Sequence, residues 1–378
     1  MHEALLRPRR AGRRAALLLR RYFFPLSLSS SCEHQIHPVD LGGQCLKALV
    51  ERAGIRDPAL IDDVIFGCVS QVGAQAGNLG RNVVLAAGLP ESVPGTTCDR
   101  QCGSSLQALH FAAQAVMSGV HDVVVAGGVE AMSKVPIGSS IMDGMAANHG
   151  SPQDSVKMSE RYPGINFSQF EGAELVAKHY NISREEMEEL AYDSHRRGFE
   201  ATEKGYFERE IVPVVGWDKK QNKEVLVKTD EGIRWPADKS KMARLPLLRE
   251  GGRITAALAS QITDGASAVL VCNEEGLRKL GLKPRARIVA MSLAGDDPVM
   301  MLSAPIPATK KVLKQANLSI DQIDLVEVNE AFASVPLAVA KAVGIDLKRL
   351  NVNGGAMALG HPLGVRQFLY FQPCLFFI

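Results

Sequence analysis

Asp122-Val123-Val124-Val125-Ala126-Gly127-Gly128 is the stretch on which the fold turns. Its near-continuous apolar run stops at two glycines, as a strand buried on both faces does. Upstream lies Thr97-Cys98-Asp99-Arg100-Gln101-Cys102-Gly103-Ser104-Ser105-Leu106-Gln107-Ala108. Small and polar residues surround Cys102, and Leu106, Leu109, Phe111, Ala112 and Val116 follow in an apolar-periodic segment. The pattern places Cys102 at the tip of a turn that opens a helix. Backbone N–H groups and the positive end of the helix dipole there favour thiolate over thiol. A thiolate is a nucleophile, so covalent catalysis is one reading. A buried cysteine used as a small hydrophobe fits the local pattern equally well.

Outward from this stretch, helical and strand patterns alternate. Leu46–Ala53 reads as a short amphipathic helix, 64–68 as a strand and 82–87 as part of a helix. From about Met132 to Arg253 the chain is polar, charged and irregular, with one well-marked helix at 183–204. Ser183-Arg184-Glu185-Glu186 is a capping box at its start. After Ile254 the alternation returns, with strands at 268–271, 287–290 and 325–328 and helices near 309–315 and 330–343. Strand–helix alternation of this kind predicts an α/β architecture. A faint repeat accompanies it: 60–66 (Leu-Ile-Asp-Asp-Val-Ile-Phe) aligns with 322–328 (Gln-Ile-Asp-Leu-Val-Glu-Val), an offset of 262 (322 − 60).

The 378 residues are 46% hydrophobic with a formal charge of +2, enough chain for two or three domains. No apolar run approaches the length of a membrane span. Cysteines 32, 45, 68, 98, 102, 272 and 374 are dispersed and odd in number, which points to reduced thiols in an intracellular, soluble protein. There is no zinc spacing, so no metal site is expected, and no phosphate-binding GxxxxGK[ST] loop. Residues 1–31 hold seven arginines and one acid, leaving 36 basic (43 − 7) against 40 acidic (41 − 1) groups elsewhere. An Arg-rich, acid-poor start ending in serines suits a mitochondrial transit peptide; without one the expected compartment is cytoplasmic. A nucleic-acid arm has no downstream support, since aromatic content is only 6%.

Two further segments carry chemistry. Val326-Glu327-Val328-Asn329-Glu330-Ala331-Phe332-Ala333 puts an asparagine at the end of an apolar run. Asn351-Val352-Asn353-Gly354-Gly355-Ala356-Met357-Ala358-Leu359-Gly360-His361-Pro362-Leu363-Gly364 holds a histidine in a glycine-rich turn. With Arg100-Gln101-Cys102, Gly127-Gly128-Val129-Glu130-Ala131-Met132-Ser133 and 259–266 (Ala-Ser-Gln-Ile-Thr-Asp-Gly-Ala), these resemble the thiolase family, in the family's order, from about His37 to Gly364. The resemblance implies a thiolase fold: two similar βαβ halves in a layered α-β-α-β-α arrangement with an inserted loop domain. The implied divisions are a basic segment at 1–33, an N-terminal domain at 34–131 plus 254–275, a loop domain at 132–253 and a C-terminal domain at 276–378.

It also implies an acyl-CoA C-acyltransferase. Cys102 would take an acyl group as a thioester, His361 would serve as base, and Asn329 would hold a water that donates to an oxyanion. Ser260 would contact the pantetheine arm, with Gly355 and Gly360 near the thioester. Coenzyme A would be substrate and product, with no permanently bound cofactor. Partners would be acyl-CoA substrates and further copies of the chain in a homodimer or homotetramer.

Two departures from the family pattern stand out. The first strand and its Arg-Thr-Pro-like motif are not recognisable, and the basic segment stands in their place as if unrelated sequence had replaced them. After Gly364 the family's Cys-x-Gly-x-Gly motif is not found, and Cys374 lacks its glycines. The expectation is therefore a sheet short of strands in both halves. Alternatives to an active thiolase are an inactive thiolase-like subunit and, less favoured by the Asn-Glu-Ala-Phe-Ala motif, a ketoacyl-synthase-type condensing enzyme.

Overall fold

The computed structural model describes residues 17–29, 34–218, 221–365 and 375–377. Its strands, in chain order, are β1 (Leu17–Ser29), β2 (His34–Gln35), β3 (Asp63–Gly67), β4 (Gly95–Cys98), β5 (Val123–Ala131) and β6 (Val214–Asp218). These are followed by β7 (Lys223–Val227), β8 (Thr263–Cys272), β9 (Ala286–Arg287), β10 (Leu325–Glu327) and β11 (Leu375–Phe377). The main sheet has the order β4-β3-β5-β8-β1-β9.

Alternation along these strands builds two cores. Val64, Phe66, Val123, Val125, Ala268 and Leu270 face the helices Pro38–Ala53 and Leu79–Ala86. Their neighbours Ile65, Val124, Ala126, Val269 and Val271 face the helix Ser104–Ser118. Successive side chains of a strand point to opposite faces, so apolar runs without a polar alternate are what a sheet covered on both sides requires. The second core also takes in Ala358 and Leu359, so the helix Ser104–Ser118 is packed between the sheet and the glycine-rich turn of the other half.

The strand expected at 122–126 forms as β5, buried along its whole length. β5 is parallel to β3 but antiparallel to β8, in continuous register from Val123↔Cys272 to Ala131↔Asp264. The expectation of a missing first strand is corrected. Residues 17–29 form β1, antiparallel to β8 on one side and to β9 on the other. Arg20-Arg21 and Pro25 interrupt the apolar pattern there, and two register irregularities mark the pairing with β8. The predicted strand at 287–290 shrinks to Ala286–Arg287.

The 262-residue repeat is structural. A 3₁₀ turn ends at Leu60 and β3 begins at Asp63; a second 3₁₀ turn ends at Gln322 and β10 begins at Leu325, both 262 residues on (322 − 60; 325 − 63). β10 pairs in parallel with β11 and is bridged to Leu350. The stretch after Gly364, read as a tail without strands, thus supplies β11; Cys374 lies outside the described residues.

Between the halves, the helix Arg184–Glu203 carries the predicted capping box. The Ser183 hydroxyl accepts from Glu186 N–H at 3.1 Å, and Glu186 Oε2 accepts from Ser183 N–H at 2.7 Å. Its inner face (Met187, Leu190, Ala191) packs with the helix Gln169–His179 onto the core around β10 and the helix Ser334–Val343. β2, β6 and β7 make a separate three-stranded sheet. Among the described residues, no helix is long and apolar enough to cross a membrane.

Candidate active site

Cys102 lies in the turn between β4 and the helix Ser104–Ser118, as its surroundings predict. The turn is tight. Gln101 adopts φ 31°, and Gly103 N–H donates to Arg100 O at 2.8 Å. Ser104, fully buried, knits it together: its hydroxyl donates to Gln101 O at 2.8 Å and accepts from Arg100 N–H at 3.1 Å. Arg100 is itself held by Gln107 Oε1 at 2.6 Å. One face of the turn is therefore fixed before any ligand arrives.

The electrostatic expectation for this thiol is overturned. Burial pushes the Cys102 thiol up to about 11, its own backbone N–H opposes the rise, and the Glu130 and Asp99 carboxylates reinforce it. Desolvation disfavours the charged form more than the start of the helix favours it. Cys102 is a thiol at neutral pH, and its reaction as a nucleophile requires a base. Cys98 is half-buried against the second core, and burial raises it to about 11 as well.

Asn329 stands two residues past the end of β10, and His361 ends the glycine-rich turn. The two meet: Asn329 Nδ2 is 3.2 Å from His361 Nε2. His361 is 2% exposed, and its backbone N–H donates to Thr263 Oγ1 at 2.9 Å. Gly360 adopts φ 82°, ψ 170°, a conformation open essentially only to glycine, and this aims the histidine inward. The segment 258–263 is threaded between the two motifs. Ser260 N–H donates to Ala331 O at 2.9 Å, Ala333 N–H donates to Leu258 O at 2.9 Å, and Gln261 Nε2 donates to Met357 O at 2.8 Å. Ser260 is half-buried at this junction.

Gly355 packs against a buried acid. A Cβ there would fall about 2.0 Å from the Glu330 carboxyl carbon, so its bare backbone makes room for that carboxylate. Glu330 is fully buried and accepts from Ser194 Oγ (2.7 Å), Asn351 Nδ2 (2.8 Å) and Met357 N–H (3.1 Å). On the opposite flank, Asp264 accepts from Ser133 N–H and its hydroxyl, at 2.8 and 2.5 Å. Glu130 accepts from Val69 N–H, Ser70 N–H and Gln75 Nε2 at 2.8, 3.1 and 2.9 Å. Reasoning from sequence gave none of these acids a role. The signal available was a carboxylate set in an apolar run, which a buried acid needs partners to justify.

Cys102 and Asn329 line one cavity of about 660 Å³, walled mainly by apolar side chains that include Leu106, Ile288, Val312 and Val335. That volume is in the range of about 300–1,000 Å³ found for organic-ligand sites. Among the described residues, no group of three or more His, Cys, Asp or Glu is placed to hold a metal ion.

A thiol at a helix start, an Asn–His pair whose asparagine borders the cavity of that thiol, and two βαβ-like halves fit an acyl-transferring site on a thiolase-type fold. Comparison with known proteins agrees. The family model for the thiolase N-terminal domain matches residues 25–275, and that for the thiolase C-terminal domain matches 282–368. A steroid 3-ketoacyl-CoA thiolase of Mycobacterium tuberculosis is 52% identical over 330 residues, covering 87% of this chain and 79% of that protein. A 3-ketoacyl-CoA thiolase of Pseudoalteromonas translucida is 43% identical over 332 residues, with 86% and 82% covered. The crystal structure of the Bacillus anthracis acetyl-CoA acetyltransferase superimposes with a TM-score of 0.83 at 36% identity, covering 94% of this chain and 89% of that one. The chain belongs to the thiolase family and is an acyltransferase of the acyl-CoA class.

Proposed function

We propose that Cys102 attacks the ketone carbonyl of a 3-ketoacyl-CoA and keeps the shortened acyl group as a thioester. His361 takes the thiol proton. As the bond between the second and third acyl carbons breaks, the electron pair passes to acetyl-CoA as an enolate, which takes up the proton that Cys102 gave to His361. Coenzyme A accepts the acyl group from Cys102 and leaves as the product thioester. Asn329 orients a water toward the oxyanion, Ser260 contacts the pantetheine arm, and Gly355 and Gly360 let backbone and thioester approach closely. Coenzyme A comes and goes as a substrate, and the working unit is a homodimer or homotetramer.

The carrying observation is that Cys102 and Asn329 border one cavity while the Asn329 amide touches His361. A thiol raised to about 11 fits the need for a neighbouring base. Support for 3-ketoacyl-CoA as substrate comes from the names of the relatives.

The test is to trap the acyl-enzyme. Purified chain is incubated with acetyl-CoA, or with acetoacetyl-CoA plus coenzyme A, and mapped by peptide mass spectrometry beside Cys102→Ala. An acetyl adduct on Cys102, absent from the variant, supports the reading. Folded protein without an adduct would sink it and favour an inactive partner subunit.

A further inference from the structure

We propose that Glu330 is a positioning residue whose carboxylate sets the distance between Asn329 and His361 and ties that pair to the helix Arg184–Glu203. For its catalytic consequence this rests on the function proposed above; its geometric part does not.

Three groups from two distant segments converge on this one side chain. Asn351 reaches Glu330 Oε1, while Ser194 and Met357 N–H reach Oε2. Ser194 Oγ in turn accepts from Gly355 N–H at 2.9 Å. Met357 and Gly355 belong to the turn that ends in His361, and Glu330 directly follows Asn329. Asn351 closes the loop on the other side. Its Oδ1 accepts from Val328 N–H at 2.9 Å and its Nδ2 donates to Val328 O at 2.9 Å, fixing the residue just before Asn329. The whole cluster is sealed, with Glu330 at 0%, Ser194 at 2% and Asn351 at 2% exposure.

Only a carboxylate satisfies this arrangement. A glutamine could turn its oxygen toward Ser194 and Met357, but its NH₂ would then face the NH₂ of Asn351. Asn351 cannot flip to oblige, because both of its ends are committed to Val328. Glu330→Gln therefore breaks the link to Asn351 while nearly preserving volume, and shifts Asn329 relative to His361. A displacement of about 1 Å at such a site can cost on the order of 100-fold in rate.

Two readouts test this. The first needs no turnover: the side-chain ¹⁵N resonances of His361 in histidine-labelled protein, assigned through His361→Asn. Glu330→Gln should shift the Nε2 resonance, because the Asn329 contact is altered, and Ser194→Ala should shift it less and in the same direction. An unchanged resonance in either folded variant overturns the proposal. The second is acylation of Cys102 by acetyl-CoA. At saturation Glu330→Gln should be about 10- to 100-fold slower, with a half-saturating concentration within about twofold of the parent chain. Equal rates in variant and parent overturn the proposal. A parent chain that is never acylated counts against the function, and the His361 resonance still decides the role of Glu330. Should Glu330→Gln not fold, Ser194→Ala, which leaves the Asn351 contact intact, carries both readouts.

Discussion

Asn329 Nδ2 lies 3.2 Å from His361 Nε2, so the loop leaving β10 and the residue ending the glycine-rich turn share one contact. Removing the amide takes away both the neighbour of the ring and a donor close to the developing oxyanion. Asn329→Ala should therefore slow acylation of Cys102 at saturating acetyl-CoA by about 10²- to 10³-fold, the usual cost of losing an oxyanion-hole donor. Rapid-quench mass spectrometry of the acyl-enzyme measures it; a loss of less than about threefold would remove Asn329 from the mechanism.

The raised thiol makes a pH prediction. With Cys102 at about 11 in the fold, only about one molecule in a thousand carries the thiolate at pH 8. Alkylation of Cys102 by iodoacetamide, followed by peptide mapping, should accelerate with pH and level off only near 11. Asp99 contributes to the rise, so Asp99→Asn should move the profile to lower pH. The sign for stability is the usual one for an acid whose folded value is raised. The neutral thiol supports the fold below its unfolded value near 9, and that support is lost as pH climbs through 11. A profile that levels off near pH 8 would contradict the burial argument.

How much of this was legible in the sequence depended on how far each interaction reaches along the chain. The Ser183–Glu186 capping box spans three residues, and it formed as read. The repeat of 60–66 at 322–328 survived because a 3₁₀ turn and a strand are local objects. The motifs likewise announced Cys102, Asn329 and His361, and the structure joins Asn329 to His361 across 32 residues. What failed was non-local. β1 carries Arg20, Arg21 and Pro25, which break a strand pattern, and its partners β8 and β9 lie more than 200 residues away. The thiolate expectation failed because the burial of Cys102, and the Glu130 carboxylate that reinforces its effect, come from the folded chain, which no reading of 97–108 can supply. Glu330 was visible as a charge in an apolar run, but Ser194 and Asn351 could be assigned to it only in three dimensions.

Gly360 tests the turn itself. At φ 82°, ψ 170° a side chain is strained by about 1–3 kcal/mol, and the histidine it aims comes next in the chain. Gly360→Ala should lower the urea midpoint accordingly and reduce acylation of Cys102 more than its stability loss accounts for. Urea melts and acylation rates taken at a denaturant-free pH of 7.5 separate the two effects. Parent-like behaviour in both would show that the backbone can relax at no cost.

Two buried histidines, of which His110 lines the cavity, predict how the fold fails in acid. His110 is held down to about 4 by burial, with Arg100 adding to the effect, and His195 to about 4 by burial with Arg234. His195 is neutral in the fold, where its Nδ1 accepts from Arg234 N–H at 3.1 Å. An unfolded histidine takes a proton near pH 6.5, so below that pH the unfolded chain binds more protons than the folded one. Stability must then fall as pH drops from about 6.5 toward 4, by at most about 3 kcal/mol for each residue. His195→Asn keeps a carbonyl acceptor for Arg234 N–H but cannot titrate. Its urea midpoint should therefore change less between pH 7.5 and pH 5 than that of the parent chain, even if it is lower at pH 7.5. Parallel acid limbs for the two proteins would mean that His195 is protonated without loss in the fold, and that carboxylates alone set the acid limit.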